Sequence, residues 1–174
     1  MRGDDGFGPA VAAALDGELP EAAELIETGI GGIGIVHQLM DGYGALVIVD
    51  AVERGAAPGT VFVLVPEVPD IATPTFDEWL AQLADMHLAE PSRILRIARA
   101  AGVLPERVLV VGCQPESCDD FDEVLSPHVA AAVPVAAQRV CDLVAELSAV
   151  ANPASQPQAK PPRTLTGGSV CGRC

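Results

Sequence analysis

Three side chains of metal-binding types stand out because each lies on a loop or at the end of a predicted strand. Asp5 lies in a GDDG turn, Asp50 ends the apolar run ALVIVDAV, and His87 follows an irregular, proline-containing stretch. One imidazole and two carboxylates that leave coordination positions open form a usable site for a divalent transition metal. We therefore predict that Asp5, Asp50 and His87 converge at one edge of a sheet. The alternatives are a solvated turn acid at Asp50 and a hydrogen-bonded surface residue at His87.

The element that positions Asp50 is the run Ala45–Val52, in which Val47, Ile48 and Val49 are all β-branched. A continuous apolar run of this kind is typical of a strand buried on both faces, as in a parallel sheet. In open α/β sheets, ligands bind in the crevice outside the carboxyl ends of the strands. An acid at that place is therefore a candidate functional residue.

Asp5 is positioned by the segment GDDGFGP, which precedes the apolar spacing of Val11, Ala14 and Leu15. This spacing predicts a helix that begins near Pro9, because proline is tolerated in a first helical turn. The two acids then lie just ahead of a helix N-terminus. The glycines allow the backbone to bend and bring a carboxylate beside a cleft.

The remaining patterns predict further strands and helices, which makes the chain an α/β protein. Strands are predicted at 22–28, 60–65 and 107–111, and helices at 35–40, 92–101 and 126–150. Because 60–65 follows 45–52 closely, we expect these two strands to form an antiparallel hairpin at a mixed edge. Residues 1–150 are predicted to form one domain. The segment 151–174, rich in Pro, Gln and Ser, is predicted to be a disordered tail.

The charge of the chain limits its partners. Ten Lys and Arg oppose 24 acids, which gives a net charge of -14. This balance argues against a nucleic-acid backbone or an anionic membrane surface as the main partner, whereas a metal ion or a basic protein segment fits better. No apolar run suits a membrane span and the first residues do not resemble a signal peptide. We expect a cytoplasmic protein that acts as a monomer.

A glycine-rich segment suggests a different role for Asp50. Gly29, Gly31 and Gly34 satisfy the pattern GxGxxG, and Asp50 follows about twenty residues later, as in dinucleotide-binding folds. A pyrophosphate would then lie on the backbone N–H groups of the turn. Against this hypothesis, the preceding strand is rich in acids, the following helix is short, and Glu27 would repel the phosphates.

The five cysteines suggest free thiols, because the number is odd and no secretory context is evident. Cys113 is the most plausible cysteine nucleophile, although buried thiols at strand ends are commonly inert. Cys171 and Cys174 form a CxxC pair that could act in redox chemistry or, with Cys113 and Cys118, bind zinc. The default prediction is that this pair lies in an unstructured tail.

Five segments, taken in order, resemble a known protein family. They are GDDGFGP at 3–9, LVIVDAV at 46–52, DMH at 85–87, VGCQPES at 111–117, and LSP with HVAAAVP between 125 and 134. As a set they resemble the hydrogenase maturation proteases, endopeptidases that remove a C-terminal extension from the nickel-containing large subunit of [NiFe] hydrogenase. The resemblance extends from residue 3 to about residue 150.

The resemblance implies a three-layer α/β sandwich with a mixed, mostly parallel sheet of the phosphorylase/hydrolase-like type. It maps the metal-binding residues onto Asp5, Asp50 and His87, and it implies that the turn at 29–34 shapes a cleft and binds no nucleotide. The family normally has a first strand and a Gly-Asn turn ahead of GDD. Neither is present in this sequence, so we expect either a sheet without that strand or a sequence that begins late.

The leading hypothesis is that Asp5, Asp50 and His87 meet nickel already installed in the hydrogenase large-subunit precursor, so that only the metal-loaded precursor is cut. The nickel is then borne by the substrate rather than held permanently. A water activated by Asp50 or Asp5 would attack the scissile carbonyl. The second hypothesis is a non-catalytic factor that carries nickel or docks the large subunit, and the third is a dinucleotide-dependent enzyme.

Overall fold

The computed structural model describes residues 3–28, 33–69, 91–116, 124–150 and 170–173. After a 3-10 turn at Gly3–Gly6, its helices are α1 (Phe7–Ala14), α2 (Ile33–Leu39), α3 (Pro91–Ala100) and α4 (Pro127–Val150). Its strands are β1 (Glu24–Glu27), β2 (Ala45–Ala51), β3 (Val61–Leu64), β4 (Arg107–Cys113) and β5 (Val170–Arg173). These elements form an α/β fold with one five-stranded sheet.

Strand β2 explains why the sheet lies between two helical layers. Its first five residues are all buried, and because strand side chains alternate, they pack on opposite faces. Val47 and Val49 belong to a cluster with α1 and α4, whereas Leu46 and Ile48 belong to a cluster with α2 and α3. The prediction of a strand buried on both faces and of a three-layer α/β architecture is confirmed.

The sheet is mixed, with the strand order β1-β5-β2-β4-β3. Strands β2 and β4 are parallel, β1 runs in the same direction, and β3 and β5 run in the opposite direction. The predicted hairpin between β2 and β3 is wrong, because β3 pairs with β4 instead. After β2 the chain passes the end of β4, where the Val52 N–H donates to the Cys113 carbonyl at 2.9 Å. It then forms β3 on the side of β4 that faces away from β2.

No strand precedes the turn at Gly3–Gly6 within the part of the chain that the structure describes. The position next to β2 is taken by β5, which is antiparallel to both β1 and β2. Residues 170–173 of the segment that was predicted to be a tail form this strand. Residues 151–169 and Cys174 lie outside the described residues, and the division into a domain at 1–150 and a tail stays a prediction.

Helix α4 is the longest helix described and covers one face of the sheet. It runs through Pro134 to Val150 without a break, and by length and composition alone it is the one described helix that could cross a membrane. Its buried residues pack against α1 and the sheet. Among them are Val129, Ala136, Val140, Leu143, Val144 and Leu147. This packing makes α4 a core helix of the α/β fold.

Candidate active site

Asp50 lies at the carboxyl end of β2, at the edge where the parallel strands β2 and β4 both end. Its side chain is half-buried, and its Oδ1 accepts a hydrogen bond of 2.9 Å from the Ala51 N–H. Burial raises the pKa of Asp50 from 3.8 to about 6, partly opposed by that hydrogen bond and reinforced by the negative charge of Asp5. Asp50 is thus a carboxylate with few donors and an acidic neighbour.

Asp5 reaches this corner from the other side. It lies in the 3-10 turn that leads directly into α1, and its side chain is exposed. Its charge is close enough to raise the pKa of Asp50, so the structure brings these two predicted residues together. The prediction that the two acids precede a helix N-terminus is confirmed, since α1 begins at Phe7. That Asp5 and Asp50 are catalytic or metal-binding stays a prediction.

His87, the third predicted member, lies outside the described residues. Among the residues that are described, no three His, Cys, Asp or Glu side chains lie together in a way that could hold a metal ion. The two carboxylates nevertheless suit a divalent cation in their chemistry. A cation between them would offset the repulsion that raises the pKa of Asp50. Its further ligands would have to come from outside the described residues or from a bound partner.

Asp4 has a role that the sequence patterns did not predict, because they favoured only its neighbour Asp5 as a site residue. Asp4 is only 2% exposed, whereas its neighbour Asp5 faces solvent. Its Oδ1 accepts from the Ser126 N–H at 2.7 Å, and its Oδ2 accepts from the Glu116 N–H at 2.8 Å and the Ser126 hydroxyl at 3.1 Å. Asp4 therefore ties the turn to the end of β4 and to the start of α4.

Gln114 is the second buried polar residue that the sequence analysis did not single out, and it is 5% exposed. Its Oε1 accepts from the backbone N–H groups of Arg54 at 2.7 Å and Ala56 at 3.2 Å. Its Nε2 donates to the Pro115 carbonyl at 3.2 Å. These bonds fix the loop that follows β2, so Gln114 supports the backbone just beyond Asp50. The segment VGCQPES, which includes Gln114, was the available signal.

An aromatic ring lies close to the backbone of the residue that pairs with Asp50 in the sheet. Gly112 of β4 is its register partner, and Phe62 of β3 is the partner of Gly112 on the other side. A Cβ added to Gly112 would lie 2.5 Å from the Phe62 ring. The missing side chain at Gly112 therefore lets an aromatic ring lie over the strand next to Asp50.

Cys113 does not have the properties of a nucleophile. It is fully buried, and its Sγ lies 3.7 Å from the Gln114 carbonyl, to which it donates. Burial, together with the nearby negative charge of Asp4, raises the pKa of Cys113 from 9.0 to about 11. Because the thiolate is the reactive form, this thiol is inert at neutral pH. Cys118 and Cys174 lie outside the described residues.

Two further features are the glycine pattern at 29–34 and the pair formed by His128 and Glu116. Gly29 and Gly31 of the glycine pattern lie outside the described residues, and α2, which contains Gly34, has only seven residues. The Nδ1 of His128 lies 3.2 Å from a carboxylate oxygen of Glu116, at an exposed position. That pair lies close to Asp4, because the Glu116 backbone N–H is one of the three donors to Asp4.

Comparisons with known proteins give a consistent result. A family profile described as HycI, hydrogenase maturation protease, matches residues 9–143. The hydrogenase expression/formation protein HoxM of Cupriavidus necator is 29% identical over 143 residues, which cover 81% of this chain and 67% of that protein. HoxM of Azotobacter vinelandii is 30% identical over 150 residues, which cover 85% of this chain and 69% of that protein.

Solved structures agree with these sequence matches. The crystal structure of hydrogenase 2 maturation peptidase from a Thaumarchaeota archaeon is 32% identical, with a TM-score of 0.55, and the match covers 83% of this chain and 91% of the other. The hydrogenase maturating endopeptidase HybD from E. coli is 23% identical, with a TM-score of 0.59 over 84% and 86% of the two chains. The second of these matches bears on the fold alone.

Proposed function

Because this chain belongs to the hydrogenase maturation protease family, we propose that it is the endopeptidase that removes the C-terminal extension of a [NiFe] hydrogenase large-subunit precursor after nickel insertion. The observation that carries the proposal is the position of Asp50 at the carboxyl end of β2, where the charge of Asp5 is near enough to raise its pKa. This is the place where α/β sheets bind ligands.

The nickel is cargo of the precursor, and this chain recognises it with Asp5, Asp50 and His87. Carboxylates and one imidazole are suitable ligands for a divalent transition metal, and three of them leave positions for ligands from the precursor. The charge of the corner supports this assignment, because Asp5 and Asp50 repel each other until a cation lies between them. Recognition of the metal restricts cleavage to precursors that already contain it.

Hydrolysis follows from the same two carboxylates. Asp50, in its ionised form, accepts a proton from a water molecule. The water oxygen forms a bond to the scissile carbonyl carbon. As the tetrahedral intermediate collapses, the proton passes to the leaving amine and the C–N bond breaks. The precursor's nickel, as a Lewis acid, lowers the cost of charge on the water or the carbonyl oxygen.

Cleavage of purified precursor tests the proposal. Nickel-loaded and nickel-free precursor are incubated with this protein, and the mass of the large subunit is measured over time. We expect cleavage of the loaded form alone, and Asp50→Asn is expected to lower kcat by about 100- to 10,000-fold, as for loss of a general base. Asp16→Asn, at an exposed position after α1, is the matched control and is expected to leave kcat unchanged.

Two outcomes would overturn the proposal. Full cleavage by Asp50→Asn would contradict the role of this carboxylate. Binding of the precursor without cleavage by the unmodified protein would favour the alternative of a non-catalytic docking or nickel-carrying factor. The proposal includes a monomeric enzyme in the cytoplasm, in keeping with a net charge of -14 and with helices on both faces of the sheet. Size-exclusion chromatography with light scattering measures the oligomeric state.

A further inference from the structure

The Asp4 carboxylate joins three segments that are far apart in the sequence. Among the described residues, its donors belong to Glu116, just beyond β4, and to Ser126, which precedes the first residue of α4. The third segment is the 3-10 turn that contains Asp4 itself. Since Asp4 is 2% exposed, water cannot readily replace any of these bonds. We refer to these three hydrogen bonds as the Asp4 clamp.

The chemistry of the clamp is specific to an ionised carboxylate. An ionised Asp accepts hydrogen bonds and donates none, so it satisfies three converging donors without conflict. The negative charge also lies at the N-terminus of α4, where the helix dipole favours an anion. An Asn at this position would place its amide nitrogen against a donor such as the Glu116 N–H. The shape would be retained, but the pattern of donors and acceptors would not.

The Asp4 clamp adjoins Asp5, whose carboxylate has to lie accurately relative to Asp50. Asp5 follows Asp4 directly, at a Cα separation of about 3.8 Å, and its exposed carboxylate acts on Asp50. One end of the clamp adjoins the sheet, because Glu116 lies just beyond β4, whose register pairs Gly112 with Asp50. The other end, Ser126, immediately precedes α4. The hydrogen bonds of Asp4, rather than any bond of Asp5, therefore hold the turn beside the strand end that carries Asp50.

We propose that Asp4 is a positioning residue, whose clamp holds the turn so that Asp5 meets Asp50 and the substrate in the geometry needed for cleavage. The inference rests on the proposed function, since it assigns to Asp4 a part in the same site. Asp4 is 2% exposed and its oxygens accept hydrogen bonds from the protein, so in this proposal it acts through Asp5 and does not touch the substrate.

A double-mutant cycle tests this assignment. The four proteins are wild type, Asp4→Asn, Asp5→Asn and the double variant, and kcat and KM for nickel-loaded precursor are measured at a temperature where circular dichroism shows all four to be folded. Misplacement of a reacting group by about 1 Å can lower a rate by roughly 100-fold, so we expect a loss of that order in kcat for Asp4→Asn, with little change in KM. In the Asp5→Asn background, the same change is expected to have almost no further effect.

The controls separate positioning from stability. Glu116→Gln alters the side chain of a clamp residue but keeps the backbone N–H that donates to Asp4, and it is expected to leave kcat unchanged. Ser126→Ala removes one of the three donors and is expected to lower kcat by less than Asp4→Asn does. If Asp4→Asn does not fold, Ser126→Ala combined with Asp5→Asn provides the same cycle.

The outcomes distinguish the inference from the function on which it rests. A folded Asp4→Asn with wild-type kcat overturns the inference and leaves the function intact. Equal losses from Asp4→Asn in the wild-type and Asp5→Asn backgrounds also overturn it, because they show that Asp4 does not act through Asp5. An unmodified protein that fails to cut the precursor refutes the proposed function, and the inference falls with it.

Discussion

Two carboxylates at the same corner of the sheet, Asp4 and Asp50, are satisfied in opposite ways. Asp4 is almost completely buried and accepts three hydrogen bonds from two distant segments. Asp50 accepts one hydrogen bond from its neighbour in sequence, Ala51, and faces the charge of Asp5. The comparison teaches that burial alone does not identify a reactive acid. A carboxylate held by several donors stabilises the structure, whereas one with a single donor among the described residues is available for a proton or a cation.

The largest expected effect is the loss of stability when Asp4 is replaced, and it tests the difference between Asp4 and Asp50 most strongly. Asp4→Ala leaves the Glu116 N–H, the Ser126 N–H and the Ser126 hydroxyl without their acceptor. We expect the free energy of unfolding to fall by about 3 kcal/mol, in line with the cost of unsatisfied donors to a charged group. Urea denaturation followed by circular dichroism measures it. Asp16→Ala, at an exposed site, is the control, and an equally small loss at both positions would show that the clamp is not structural.

Removal of the Asp50 charge is expected to raise the free energy of unfolding, whereas loss of Asp4 lowers it. The folded-state pKa is raised from 3.8 to about 6, so the folded protein binds a proton more tightly than the unfolded chain. The stability that this proton contributes is present below pH 4 and is lost as the pH rises to about 6. At pH 7, Asp50→Asn should therefore be more stable than wild type by up to about 3 kcal/mol.

The difference in unfolding free energy between wild type and Asp50→Asn, measured from pH 4 to pH 7, isolates this contribution from those of the other acids. The difference should grow across that window and then level off. An Asp50→Asn variant that is less stable than wild type at pH 7 would show that Asp50, like Asp4, is a satisfied carboxylate. The contrast between the two residues would then be lost.

A smaller effect is expected at Asp50 when its acidic neighbour is changed. Asp5→Asn removes a negative charge that raises the pKa of Asp50, so this pKa should fall while burial keeps it above the value of a free Asp. Carbon-13 NMR titration of the Asp50 carboxyl group measures the shift, with Asp16→Asn as the control. No change in the Asp50 pKa would mean that the two carboxylates do not share a site.

The smallest effect is expected at Cys113, which tests whether the carboxylates are the reactive groups at all. Cys113→Ala removes a buried sulfur whose pKa is raised to about 11. Precursor cleavage should keep its wild-type kcat, and stability should fall by about 1 kcal/mol because of the small cavity. Loss of cleavage in a folded Cys113→Ala protein would point to a cysteine mechanism and away from Asp50.

Local patterns predicted the elements that carry the site. The run of β-branched residues in β2 and the glycine-rich turn before α1 placed Asp50 and Asp5 at a strand end and ahead of a helix, as the structure has them. Both signals are local, since they depend on burial and backbone freedom within a few residues. The meeting of Asp5 and Asp50 followed because strand ends and the loops beside them share one edge of the sheet.

The missed features depend on contacts between distant segments. The pairing of β3 could not be read from its short distance to β2, because β4 occupies one side of β2 and β5 the other. The difference between Asp4 and Asp5 depends on donors from Glu116 and Ser126, more than a hundred residues away. The sequence already favoured Asp5 as a site residue, but only the fold shows that its neighbour Asp4 lies in the interior and accepts these hydrogen bonds.

We propose that the carboxylates of Asp5 and Asp50, with His87, contact nickel in the precursor. X-ray absorption at the nickel edge, recorded for nickel-loaded precursor alone and in samples frozen before cleavage after addition of the unmodified protein, tests this directly. We expect added oxygen and nitrogen ligands in the complex, with fewer oxygen ligands when Asp50→Asn replaces the unmodified protein and no added imidazole when His87→Ala does. A nickel spectrum that does not change when a stable complex forms would contradict the claim.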